Sequence, residues 1–281
     1  MKRYVVDTNM LGSAELAAYL QESKHNLGII TEATMIELHK TRASDVVRDV
    51  LRLPCRFPRQ IIFLRDEVDL IGMDGTTRRL VRYLIDENQT SYFPNYCSTI
   101  VEAPIDDVIG RHFSMMESQS DAYMKEFTER AGKIFNLFRA AEPRFDDNDV
   151  VHLRKRQSYP IELQKKLIDM AFAVRQLLIR NDADTRQFPT VTRLAINTYL
   201  FRYCLFVALY FARWIKSNRT DLKNEKRIAN QLMDMKIGAI ASFFDGLLTN
   251  DSVLSETYEE AVFVSGSLGG YIRCGRGLTG L

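Results

Sequence analysis

Apolar residues fall along this chain in three kinds of run. Short runs that stop abruptly at polar or acidic residues read as buried strands: RYVVD over residues 3–7, NLGIIT over 26–31, IIFL over 61–64 and LLT over 247–249. Longer segments with apolar positions three and four apart read as helices: SAELAAYLQ (13–21, with Ser13 placed to cap it), EATMIELHK, 75–90, 105–140, 160–182, 190–217 and 225–246. The third kind is a single stretch, LAINTYLFRYCLFVALYFARWI (194–215), long enough to cross a bilayer. Asn197, Arg202 and Arg213 interrupt it, and its clean apolar core, Cys204–Ala212, is too short to span. It is expected to be a buried helix, with no stable membrane insertion. AVFVS (261–265) reads as a last strand, followed by a glycine-rich tail over 266–281.

Two strand-to-helix units in the first forty residues predict an α/β fold, a parallel sheet with crossover helices. The α/β pattern occupies residues 1–45 and 225–265. Residues 46–224 are expected to form a mainly helical insertion packed on that core.

The chain has 281 residues, enough for a substantial core in one large domain or two small ones. Apolar residues at 46% and charged residues at 26% describe a folded chain and exclude a disordered one. A net charge of only +2 means that a nucleic acid has to be held by a local basic patch. HLRKRQ (152–157) is the densest basic run, with Arg144, Arg56, Arg59 and Arg65 as further phosphate-contact candidates, although the acids of DDND (146–149) precede it. Cys55, Cys97, Cys204 and Cys274 lack the spacing of a structural zinc site, as do the scattered histidines. Four separate thiols and no basic-then-apolar leader fit a cytoplasmic protein better than a secreted one.

The chemistry is carried by carboxylates. Asp7 closes the first strand, and in a parallel sheet the crevice beyond the C-terminal strand edges is where ligands are placed. Asp251 follows the last of the short runs, Glu37 lies in the helix after the second strand, and Asp234 lies on the helix before LLT. Four such acids repel one another at neutral pH unless a cation sits between them. Oxygen-rich sites of this kind suit Mg2+ or Mn2+, which orient water and stabilise charge on a scissile phosphate. Asp245 is excluded: eleven residues beyond Asp234, it would lie roughly 16 Å further along a continuous helix. Glu32 is a rival to Glu37, since it follows the second strand more closely. Arg202 and Arg213 are eleven apart and fall nearly on one helix face. A buried arginine needs a carboxylate or a substrate phosphate, so both a structural and a functional role are open to them.

Taken together, VDTN (6–9), EL (37–38), DMKIGA (234–239) and LLTND (247–251) resemble the PIN-domain nucleases. The resemblance implies a PIN-like parallel-sheet core and an enzyme that hydrolyses RNA, and sometimes DNA, using Mg2+ or Mn2+. It matches Asp7, Glu37, Asp234 and Asp251 to the four metal-site acids, and Asn9 and Thr249 to supporting polar positions. Gly238 stands where the family usually has alanine, and a far longer stretch separates Glu37 from Asp234 than in compact members. The reading is therefore a metal-dependent endoribonuclease with RNA favoured over DNA, and with room for a regulatory protein partner. The alternatives are an inactive PIN-like module that binds RNA or protein, and a nuclease for single-stranded or structured DNA. A phosphatase of the haloacid dehalogenase type would want an aspartate at position 9, where Asn9 stands.

Overall fold

The computed structural model describes residues 1–40, 43–71, 80–101, 107–155, 159–180, 195–217, 224–268 and 270. Four short strands form one parallel sheet: β1 (Arg3–Val6), β2 (Leu27–Ile30), β3 (Ile61–Phe63) and β4 (Gly246–Leu248). Their order across the sheet is β3-β2-β1-β4, with Val5 opposite Ile29 on one side and Leu247 on the other, and Ile29 opposite Ile62. β-branched and aromatic residues dominate the first three strands and suit a pleated surface buried on both faces.

Alternate side chains along each strand enter different cores. Tyr4, Val6, Ile30, Ile61, Phe63 and Leu248 pack with α1 (Ala14–Glu22), α3 (Ser44–Arg56) and α6 (Glu87–Tyr96). Here α2 (Glu32–His39), α4 (Glu67–Ile71) and α5 (Leu80–Tyr83) complete the chain order. Val5, Ile29 and Leu247 face a larger core with α7 (Asp107–Ala141), α8 (Asp147–Lys155), α9 (Ile161–Arg180), α10 (Tyr199–Lys216), α11 (Glu225–Ala241) and α12 (Ser252–Ser267). The architecture is thus a small parallel sheet between helical layers, one of them extensive.

At the centre of that layer, α10 is buried without interruption from Tyr199 to Ala212 and packs on α8, α9, α11 and α12. A helix apolar all round belongs in a core, where each fully buried Phe or Leu contributes about 1.5–3 kcal/mol over leaving it exposed. Among the described residues no helix is long and apolar enough to cross a membrane.

Several local expectations are corrected. Residues 261–265 lie inside α12, not in a strand. Asp251 caps that helix, and Leu254, Tyr258, Ala261 and Val264 bury one face at helical spacing, which overrides the short apolar run. The helix expected over 225–246 ends at Ala241. Of the expected 75–90 helix, residues 75–79 lie outside the described residues; α5 and α6 follow as separate helices, with Asp86 capping α6. The strand expected at 61–64 is present as β3, paired with β2, and a bridge joins Leu64 to Ile85. Cys55 and Cys97, expected as separate thiols, are joined in a disulfide between α3 and the end of α6, because both line the core beneath β3. Cys204 is free and buried, and Cys274 lies outside the described residues.

Candidate metal centre

The strand order determines where the site lies. From β1 the chain moves outward to β2 and β3, then returns to place β4 on the other side of β1. The topological switch point is therefore the gap between β1 and β4, and a crevice opens beyond their C-terminal ends. Asp7 leaves β1 there, and its N–H donates to the Leu248 carbonyl at 3.0 Å, which sets it beside Thr249.

Asp7 is 3% exposed and held at both oxygens. The Thr8 N–H donates to Oδ1 at 2.7 Å and the Thr249 hydroxyl to Oδ2 at 2.6 Å. Thr249 Oγ1 in turn accepts the Asp251 N–H at 3.0 Å, so its own proton is directed at Asp7. On the other side, α2 is tied to the end of β1 by the Thr34 hydroxyl, which donates to the Val6 carbonyl at 3.1 Å. Glu37, three residues further along α2, is thereby carried over Asp7, with Oε2 accepting from the Thr8 hydroxyl at 3.0 Å. Asp234 comes from the middle of α11, and its Oδ2 accepts from Gln231 Nε2 at 3.1 Å.

One carboxylate oxygen from each of Asp7, Glu37 and Asp234 lies within 4.8 Å of the other two. Burial and the neighbouring carboxylates make the group electrostatically unbalanced. Desolvation, followed by the charges of Glu37, Asp7 and Asp251, pushes Asp234 up to about 9. Desolvation likewise outweighs the Thr249 and Thr8 hydrogen bonds at Asp7 and raises it to about 6. Three half-buried or buried oxygen donors, two of them (Asp7 and Asp234) reluctant to ionise, are the donor set a hard divalent cation satisfies. The residues fit such an ion, and Asp7, Glu37 and Asp234 are the ones that would hold it.

The remaining sequence candidates are distributed around or away from this trio. Asp251 stands outside it: Oδ1 accepts the Leu254 N–H at 2.8 Å as the cap of α12, while its charge still reaches Asp7 and Asp234. Asn9 is exposed and its Oδ1 accepts the Asn250 N–H at 3.3 Å, linking the two loops that follow β1 and β4. Glu32 belongs to a different cluster, where it accepts the Glu67 N–H at 2.8 Å. Arg202 is buried, donates to the Ser242 carbonyl at 2.6 Å and hydroxyl at 2.9 Å, and lies over the Phe243 ring. Arg213 pairs with Glu256 at 2.7 Å and reaches Glu260 at 3.8 Å on α12. Both arginines thus anchor α10 to its neighbours. Asp245 is held by Arg3, as a residue beyond the helix end. Of the basic run 152–157, residues 156 and 157 lie outside the described residues.

Sequence reading passed over Thr8, Gln231 and Lys40. Gln231 and Lys40 each stand three residues from an acid of the trio, at a spacing that shares a helix face, which is the one signal that could have found them. No family model matches the sequence, and no curated protein or solved structure matches it either.

Proposed function

We propose that the chain is a metal-dependent endoribonuclease of the PIN-like kind, hydrolysing RNA phosphodiester bonds at Asp7, Glu37 and Asp234. The observation that carries this reading is the meeting of three carboxylates from opposite ends of the chain at the switch point of a parallel sheet. The ordered set VDTN, EL, DMKIGA and LLTND supports the same conclusion and favours RNA over DNA.

Bound Mg2+ or Mn2+ would orient and activate a water and stabilise negative charge on the scissile phosphate. The protein supplies the frame. Thr8 and Thr249 fix both oxygens of Asp7, so its position does not depend on the substrate. Gln231 orients Asp234, and Thr8 orients Glu37. Asp251 adds negative potential and holds Thr249 in the donating orientation towards Asp7.

The test uses labelled single-stranded RNA, duplex RNA and single-stranded DNA with Mn2+, Mg2+ or EDTA, alongside Asp7→Asn. Cleavage of RNA that requires metal and is abolished in Asp7→Asn is the expected result. Cleavage that survives in EDTA or in the variant overturns the mechanism. RNA binding without cleavage at saturating Mn2+ replaces it with a non-catalytic, RNA-binding role.

A further inference from the structure

An acidic centre repels a polyanion wherever its charge is not matched by a bound cation, and a lysine at its rim adds attraction for the phosphate backbone on either side of the scissile bond. Lys40 occupies that position. It ends α2 three residues after Glu37, and its N–H donates to the Ile36 carbonyl at 2.9 Å, which fixes its backbone. Its Nζ lies 3.5 Å from Glu37 Oε1 and 3.0 Å from Asn230 Oδ1 on α11. The Glu37 contact is long for a charge-assisted hydrogen bond, which runs at about 2.7–2.9 Å. An ammonium has three donors, and two are directed at Glu37 and Asn230, which leaves a third for an incoming oxygen.

The surroundings favour a strand on that side. The Lys40 side chain is 25% exposed, so it is neither sealed in the core nor free in solvent. Its charge reaches Asp234 and draws that acid down against its carboxylate neighbours. On α11, Asn230 and Gln231 lie four and three residues before Asp234 on one face. They form a neutral polar edge between Lys40 and Asp234.

We infer that Lys40, held by Asn230, is the side chain that contacts the RNA phosphate backbone beside the acid trio. This rests on the ribonuclease reading and identifies how its substrate is held. It assigns Lys40 a contact with substrate, not a role as mere counter-charge to Glu37.

The experiment compares the full chain with Lys40→Ala and Lys40→Arg. Fluorescein-labelled single-stranded RNA is titrated in EDTA across a salt series by anisotropy, and Mn2+ alone is titrated by calorimetry. Lys40→Ala is expected to weaken RNA binding and to reduce the slope of log K against log salt by about 0.7, the share of one phosphate contact on a single strand. Lys40→Arg is expected to keep both, and Mn2+ to bind Lys40→Ala at least as tightly as the parent, because a competing positive charge is gone. Unchanged RNA affinity and slope in Lys40→Ala overturn the assignment, as does a loss of Mn2+ affinity in both variants. A parent that cleaves RNA with Mn2+ while Lys40→Ala binds like it sinks only the lysine's role. A parent that binds Mn2+ and no RNA sinks the lysine and the ribonuclease reading together.

Discussion

The Thr249 hydroxyl accepts from the Asp251 N–H and donates to Asp7, so a single side chain joins the two strand ends that make the crevice. What it holds in place is a carboxylate that burial makes reluctant to ionise. Asp7 rises to about 6 and Asp234 to about 9, in both cases chiefly by desolvation. Raised carboxyl pKa values mean that, without a cation, the folded protein binds more protons than the unfolded chain from about pH 4 up to about pH 9. Stability contributed by these groups is then present at low pH and lost as pH rises through that window. A divalent ion has to displace the same protons, so its affinity rises with pH. The metal-free melting temperature is therefore expected to fall between pH 6 and pH 8, and Mn2+ affinity by calorimetry to tighten over the same interval. Asp234→Asn should flatten both dependences. An Mn2+ affinity independent of pH in the parent would show that the trio is already ionised and that the ion binds without proton release.

Successive turns of α11 have different tasks. Asp234 faces the crevice, while Gly238, one turn on along much the same face, lies at the crossing with α10. A Cβ at Gly238 would meet Phe206 Cε1 at 2.4 Å and Cδ1 at 2.9 Å, well inside ordinary contact, and Phe206 is itself 1% exposed with no room to retreat. Alanine would gain about 1 kcal/mol in helix propensity. Overpacking of a closed core costs about 1–3 kcal/mol, and a clash this close with a ring belongs at the upper end. Gly238→Ala is expected to lose about 2 kcal/mol net and about 5 °C in thermal melting; an unchanged or higher melting temperature would show that α10 and α11 part easily. Nothing in the local sequence announces this clash, because Phe206 is more than thirty positions away on another helix. The same distinction separates what was legible from what was not. β1 and β2 are legible because each Val- and Ile-rich run ends at a polar residue and leads straight into helical spacing, the strand-to-helix order of an α/β sheet, and Asp7, Glu37 and Asp234 are legible as acids at the ends or on the flanks of such runs. AVFVS reads locally as a strand because four apolar residues before Ser265 do not distinguish a strand from a helix; Asp251 capping the segment and Leu254 and Tyr258 extending its buried face make it helical. That Lys40 leans on Asn230, or that Cys55 meets Cys97 across 42 residues, depends on how helices pack, which no local pattern encodes.

The trio is only as fixed as the helix that carries Asp234, and the helical layer grips that helix from behind. Lys236, two residues on and 4% exposed, turns to the opposite side and pairs with Glu67 of α4. Glu67 also accepts from the Tyr123 hydroxyl of α7 at 3.1 Å and the Tyr199 hydroxyl of α10 at 3.0 Å, while its N–H donates to Glu32 of α2. The ammonium completes its surroundings over the Phe127 ring at 4.3 Å. Glu67, half-buried, thus joins four helices through its carboxylate, its own included, and a fifth through its backbone N–H. Burial by itself would raise Glu67, but the Lys236 charge and hydrogen bond, with those of Tyr199 and Tyr123, outweigh it and hold the acid below its usual value. The joint is therefore ionised at neutral pH, and its contribution is lost only as pH falls through that depressed value. Lys236→Met removes one partner and leaves a largely desolvated carboxylate without a countercharge, which costs up to about 3 kcal/mol, the low end for breaking a fully buried pair, because Glu67 retains some contact with solvent. With the lysine gone, desolvation dominates and the sign reverses: Glu67 now takes up a proton more readily than in the unfolded chain. The penalty should consequently be larger at pH 7 than at pH 5 in denaturant titrations. Lys236→Met combined with Glu67→Gln should recover most of the loss at pH 7, since the amide oxygen can still accept from one tyrosine hydroxyl while its NH2 donates to the other, with no charge to compensate. Equal penalties at the two pH values, or no recovery in the double variant, would mean that Lys236 acts by packing against Phe127 and Tyr203 and not as the countercharge that locks α11 in place.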